Sequence, residues 1–117
     1  MIRRFGWAGH GVIAHFRTQE NARIHFGAAV VTVVAGFLFG ISRGEWIAVI
    51  LAIGLVMTAE AFNTAIESVV DLVSPEQHPL AGRAKDVAAG AVLMAAMTAV
   101  VVGVLVFGPH LLALASH

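Results

Sequence analysis

The chain has no cysteine, which excludes a disulfide framework, a thiolate zinc site and a cysteine nucleophile. Charge is scarce as well. Only 12% of the 117 residues are Asp, Glu, Lys or Arg, where a soluble domain carries about 25%. Seven Lys and Arg balance seven Asp and Glu, so no basic field exists to gather phosphate backbones and a nucleic-acid binder is excluded. Familiar signatures are missing too. There is no Gly-x-x-x-x-Gly-Lys-Ser/Thr, no His-Arg-Asp and no Asp-Phe-Gly, so the site, if catalytic, is of another design.

What is present is apolar: 59% of residues are hydrophobic. A chain this short has much surface per volume and cannot solvate such a composition as a soluble globule. One domain over 1–117 is expected, embedded in a membrane. Between Arg23 and Arg43 the sole ionisable group is His25. Between Glu45 and Glu67 the sole charge is Glu60. After Asp86 no Asp, Glu, Lys or Arg occurs as far as His117. About 20 apolar helical residues cross a bilayer core, so spans are expected at 26–42, 46–66 and 87–107, with Gly108-Pro109 ending the third.

The N-terminal stretch is different. Arg3, Arg4, Arg17 and Glu20 are mixed with Phe5, Trp7, Val12, Ile13 and Phe16. That pattern suits an amphipathic helix lying on the membrane surface, expected over 1–25. It lacks the apolar region and small-residue cleavage site of a signal peptide. The predicted class is therefore an all-α membrane protein with one surface helix and three transmembrane helices. Lys and Arg cluster in the N-terminal segment and at Arg83 and Lys85, and the C-terminus has neither. Positive residues stay inside, so the N-terminus and the 67–86 loop should be cytoplasmic and the C-terminus outside.

The second span ends in a polar stripe. Helical spacing puts Glu60, Asn63, Glu67 and Asp71 on one face, within about 80° of arc. Three carboxylates in a row repel one another and need a cation, either a metal ion or a basic group. An intramembrane carboxylate is a functional candidate in its own right. Glu60 lies about 21 Å along the helix from Trp46, near the cytoplasmic boundary, where a general base could meet a lipid headgroup. Glu67 and Asp71 lie at or beyond that boundary, in contact with water. Lys85 and Asp86 precede the third span, and Lys85 could bind a phosphate as a point charge or simply anchor the helix at the interface. His78, between Pro75 and Pro79, could contact a nucleotide or be an exposed loop residue. His10, His15 and His25 fit the headgroup zone, and none has zinc-ligand spacing. Ala91, Ala95, Ala99 and Gly103 form a small-residue row suited to helix packing.

The run Glu60-x-x-Asn63-Thr-Ala-Ile-Glu67-x-x-Val-Asp71, followed by His78-Pro-Leu-x-x-Arg83-Ala-Lys85-Asp86-x-Ala-Ala-Gly90, resembles the bacterial integral-membrane diacylglycerol kinase family, which includes the undecaprenol kinases. Asn21-x-Arg23-Ile-His25 resembles it too. The resemblance implies a homotrimer in the bacterial inner membrane. It also implies ATP-dependent phosphorylation of a lipid hydroxyl with Mg²⁺. Carried across residue by residue, it makes Glu60 the catalytic base and Glu67 a metal-binding carboxylate. It assigns Trp7, Arg23, Asn63, Asp71, Glu76, His78, Lys85 and Asp86 to the nucleotide. The family often has a second metal carboxylate four residues before the Arg23 position. Here Gln19 stands there, and the acid is one step later, at Glu20. One step turns a side chain by about 100°. Either the Gln19 amide oxygen binds, or Glu20 is reached by rearrangement, or Glu67 and the phosphates hold the metal.

The residues alone leave other readings open. A small oligomeric transporter or proton channel would also place a Glu among small-residue helices. In a non-catalytic assembly partner, the carboxylates would merely pair with Arg23, Arg83 and Lys85.

Overall fold

The computed structural model describes Trp7, Ala8, His10 and residues 20–116. From Glu20 on, the described residues form in order α1 (Glu20–Phe39), α2 (Arg43–Val73) and α3 (Pro79–Ala115). All three are long and apolar enough to cross a membrane. Among the described residues very few side chains are buried, and Phe37, Leu38, Leu51, Val101 and Leu105 are among many large apolar groups left exposed. A soluble monomer rarely exposes so much contiguous apolar surface, whereas lipid, or another copy of the chain, covers it without cost. The surface helix expected over 1–25 lies largely outside the described residues. Residues 20–25 belong to α1 itself, because nothing between Glu20 and Phe39 breaks the helix.

The α1–α2 turn is built from local rules. Gly40 adopts φ +61°, the left-handed region that glycine enters without steric penalty. Its N–H bonds Phe37 O at 3.3 Å, and Ile41 N–H bonds Gly36 O at 3.1 Å, the pair of bonds that closes a Schellman C-cap. Ser42 then caps α2. Its Oγ accepts from Glu45 N–H at 3.2 Å and its own N–H donates to Glu45 Oε1 at 2.9 Å, a reciprocal capping box. The turn residues are thus Gly40–Ser42, slightly before the 43–45 gap between the first two expected spans.

α2 is the central element and packs against both α1 and α3. At the turn end, Ile41, Val49 and Val106 form the buried cluster, with Phe39, Trp46, Ile53 and Phe107 against it. α3 does not stop at Gly108-Pro109, contrary to expectation. It runs through Pro109 to Ala115. Proline removes one backbone hydrogen bond, but the segment beyond it is held from outside. Phe39 lies against Phe107 and the His110 ring at centroid distances of 6.1 and 5.8 Å. His110 Nε2 also reaches the two Glu45 carboxylate oxygens at 3.3 and 3.1 Å. By length, the 37 residues of α3 extend about 55 Å, well beyond a bilayer core of ~30 Å, so its ends project past the core.

Candidate functional site

At the other end of the bundle, α2 carries the polar stripe. Glu60 is the one buried charged residue among those described, 5% exposed. Its Oε1 lies 2.7 Å from His25 Nδ1 of α1. The approach is close enough for an ion pair but is off the line of a hydrogen bond, and both His25 Nδ1 and Glu60 Oε2 are without a hydrogen-bond partner. One turn on, Asn63 Nδ2 donates to Glu67 Oε1 at 3.1 Å. That bond leaves Asn63 Oδ1 buried and without a hydrogen-bond partner. A cavity of about 170 Å³, lined in part by Asn21, Ala22, Glu60, Asn63 and Thr64, opens here.

The stripe leads to the α2–α3 loop. Lys85 Nζ hydrogen-bonds Asp71 Oδ1 across 14 residues. Lys85 lies before the apolar stretch of α3, and the Asp71 hydrogen bond raises its pKa above the ordinary 10.5. A larger cavity of about 600 Å³ is lined by Asp71, Ser74, Glu76, His78, Gly82 and Lys85, among others. His78 also caps α3, its Nδ1 accepting from Leu80 N–H at 3.1 Å. An accepting Nδ1 puts the proton of a neutral ring on Nε2, which leaves Nε2–H as a donor. Pro79 follows at the first helical position, where its missing N–H is no loss. The N-terminus of a long helix, with a lysine near its start, favours negative charge.

The structure thus brings Asp71, Glu76, His78 and Lys85 together around one polar cavity, and Glu60 and Asn63 around a smaller one. Glu67 joins Asn63 by hydrogen bond. Arg23 and Asp86 are exposed and line neither cavity, and Trp7 is exposed. Gln19, and Glu20 beyond its backbone, lie outside the described residues. Among the described residues no three His, Asp or Glu side chains converge as a ready metal site. Sequence reasoning missed His25 as a neighbour of Glu60 and assigned it to the headgroup zone. The available signal was that the Arg23–Arg43 and Glu45–Glu67 intervals each held one ionisable group. A third cavity, of about 340 Å³, is apolar and includes His25, Ala28, Thr32, Val56, Ala99 and Gly103 in its lining.

Three helices long and apolar enough to span a membrane, one of them carrying a buried carboxylate on a face that leads to a polar cavity lined by a lysine, define an all-helical membrane protein. Residues 6–107 match the family described as prokaryotic diacylglycerol kinase. An undecaprenol kinase of Bacillus subtilis (strain 168) is 42% identical over 110 residues, 94% of this chain and 89% of that protein. A diacylglycerol kinase of Synechocystis is 46% identical over 112 residues, 95% of this chain but 63% of that longer protein. The Escherichia coli K12 diacylglycerol kinase is 32% identical over 110 residues, 94% of this chain and 90% of that protein. The chain belongs to the prokaryotic diacylglycerol kinase family. It is a lipid kinase, a phosphotransferase with an alcohol acceptor and a nucleotide co-substrate. The transporter reading receives no support.

Proposed function

We propose that the chain transfers the γ-phosphoryl group of ATP to the hydroxyl of undecaprenol at the cytoplasmic face of the bacterial inner membrane. The observation that carries this reading is the continuous face of α2, from buried Glu60 through Asn63 and Glu67 to Asp71 at the polar cavity. The lipid enters sideways from the bilayer and its hydroxyl stops at Glu60. Glu60 accepts the hydroxyl proton while the oxygen bonds to the γ-phosphorus and the bond to the ADP oxygen breaks. Positioning and charge neutralisation supply most of the catalysis in such transfers. Lys85 is held by Asp71 in an exposed pair, and solvent screens pairs of that kind so that they contribute little. A phosphate can therefore draw the ammonium away at small cost. The His78 Nε2–H and the α3 N-terminus add donors on the same side, and Arg23, Asn63, Asp71, Glu76 and Asp86, with Trp7, complete the nucleotide surroundings.

Mg²⁺ fits the donors present. Glu67 supplies a carboxylate, and Asn63 Oδ1 is a buried oxygen still lacking a hydrogen-bond partner. Mg²⁺ is commonly held by one or two carboxylates, waters and substrate phosphates rather than by an all-protein cage. Glu67 would hold the ion, with Glu20 or Gln19 as the second protein ligand. Once bound, it neutralises charge on the phosphate oxygens.

The undecaprenol assignment is supported by Asn21-Ala-Arg23-Ile-His25 and His78-Pro-Leu80, which resemble the undecaprenol-using branch, and by the Bacillus relative that bears that name. The open apolar faces of the helices fit a homotrimer, with the N-terminal segment as a helix on the membrane surface. The deciding experiment offers purified protein undecaprenol and diacylglycerol side by side with radiolabelled ATP. Undecaprenyl phosphate as the faster product is expected. Faster labelling of diacylglycerol would overturn the substrate assignment, and labelling of neither would overturn the proposed chemistry.

A further inference from the structure

We infer that His25 is a positioning residue for Glu60, acting by gripping one carboxylate oxygen and leaving the other free as the base. This rests on the reading of Glu60 as the base. His25 is the one ionisable group between Arg23 and Arg43, and its ring nitrogen Nδ1 lies 2.7 Å from Glu60 Oε1. The Glu60 side chain is 6% exposed and that of His25 29%. A carboxylate so buried is costly without a partner. The other polar neighbours that share the Glu60 cavity are Asn21, Asn63 and Thr64. The hydrogen bond given by the Asn63 amide goes to Glu67, not to Glu60.

The two oxygens of Glu60 are therefore unequal. Oε1 faces the imidazole, while Oε2 has no hydrogen-bond partner and is the atom left to take the hydroxyl proton. An Nδ1–H donor fixes the carboxylate plane, so that Oε2 does not swing away from the incoming alcohol. The off-line approach of the ring is in keeping with this role, because catalytic hydrogen bonds are often poorly aligned before substrate binds and tighten afterwards. His25 also lines the apolar cavity beside Ala28, Thr32 and Val56. The same ring thus touches both the base and an apolar recess between the helices.

The test compares His25→Leu with His25→Asn in full-length protein, each alone and in the Glu60→Gln background. Asn keeps an N–H close to the position of Nδ1, and Leu keeps only bulk. His25→Leu is expected to lower kcat roughly tenfold, within the range of measured couplings between touching residues. KM for MgATP should stay unchanged, and His25→Asn should restore most of the rate. In the Glu60→Gln background, His25→Leu should change the residual rate less than about twofold, since residues that act as a unit are non-additive. A fully active His25→Leu would overturn the inference, as would an equal fold-loss in both backgrounds. Should His25→Leu fail to fold, a folded His25→Asn with kcat reduced tenfold or more would overturn it as well. Full activity of Glu60→Gln alone is a separate result: it removes the base assignment itself, whatever the His25 variants do.

Discussion

Asn63 and Glu67, one turn apart on α2, are joined by a single hydrogen bond from the amide nitrogen to Glu67 Oε1 at 3.1 Å. The bond orients the Asn63 amide and leaves its oxygen buried without a hydrogen-bond partner. It also limits which way the Glu67 carboxylate can turn. Groups that orient a metal ligand typically contribute about 10–100-fold to affinity or activity. Asn63→Leu should therefore raise the Mg²⁺ concentration for half-maximal activity about tenfold. Glu67→Gln should raise it further and raise KM for ATP together with it. A Mg²⁺ titration of both variants reads this out, and an unshifted Glu67→Gln curve would remove Glu67 from the metal site.

Glu60→Gln keeps the shape of the side chain and removes its basicity. Positioned acid–base groups contribute roughly 10²–10⁴-fold, so kcat should fall by about that factor. The fold should survive, because a neutral amide is cheaper to bury than a charge. Radiolabelled phosphate transfer gives the rate, and circular dichroism with a melting curve gives the fold. Lost activity accompanied by lost helicity would mean that Glu60 has a structural role instead.

Lys85→Met tests the polar cavity. Both members of the Lys85–Asp71 pair are substantially exposed, 40% and 64% at the side chain, so the melting temperature should hardly change. KM for ATP should rise several-fold. A melting temperature that drops while KM holds would mark Lys85 as a structural anchor rather than a phosphate ligand.

The three helices were legible because charge bounds the first two apolar spans on both sides and the third at its start, and lipid imposes length more strictly than water does. The ends were less so. α3 passes through Pro109 because Glu45 and Phe39, both distant in sequence, hold His110, and Phe39 also holds Phe107, and no local rule carries that information. The stripe from Glu60 to Asp71 follows from helical periodicity alone. The Lys85–Asp71 contact requires the two helices to fold back at the loop, and the two cavities exist only in three dimensions. His25 went unread for the same reason: periodicity orders residues on one helix, and His25 meets Glu60 from another.

Gly36 sets the distance between α1 and α2 near the turn. A Cβ built there would lie 2.6 Å from Trp46 Cη2 and 2.9 Å from Cζ2, closer than side-chain carbons approach one another. The indole cannot retreat freely, since Phe37 stacks at a tilt on its ring with centroids 4.9 Å apart, and Trp46 packs against the buried Ile41–Val49–Val106 cluster. Overfilling a packed contact typically costs about 1–3 kcal/mol. Gly36→Ala should lower the melting temperature in detergent, and Gly36→Val should lower it more. Gly27, on the same helix, has open space where its Cβ would go, so Gly27→Ala should not destabilise the protein and serves as the control. Activity at low temperature should survive in Gly36→Ala, because the contact lies at the opposite end of the bundle from Glu60. Equal melting temperatures for the two alanine variants would show that the close approach of Gly36 and Trp46 carries no stability.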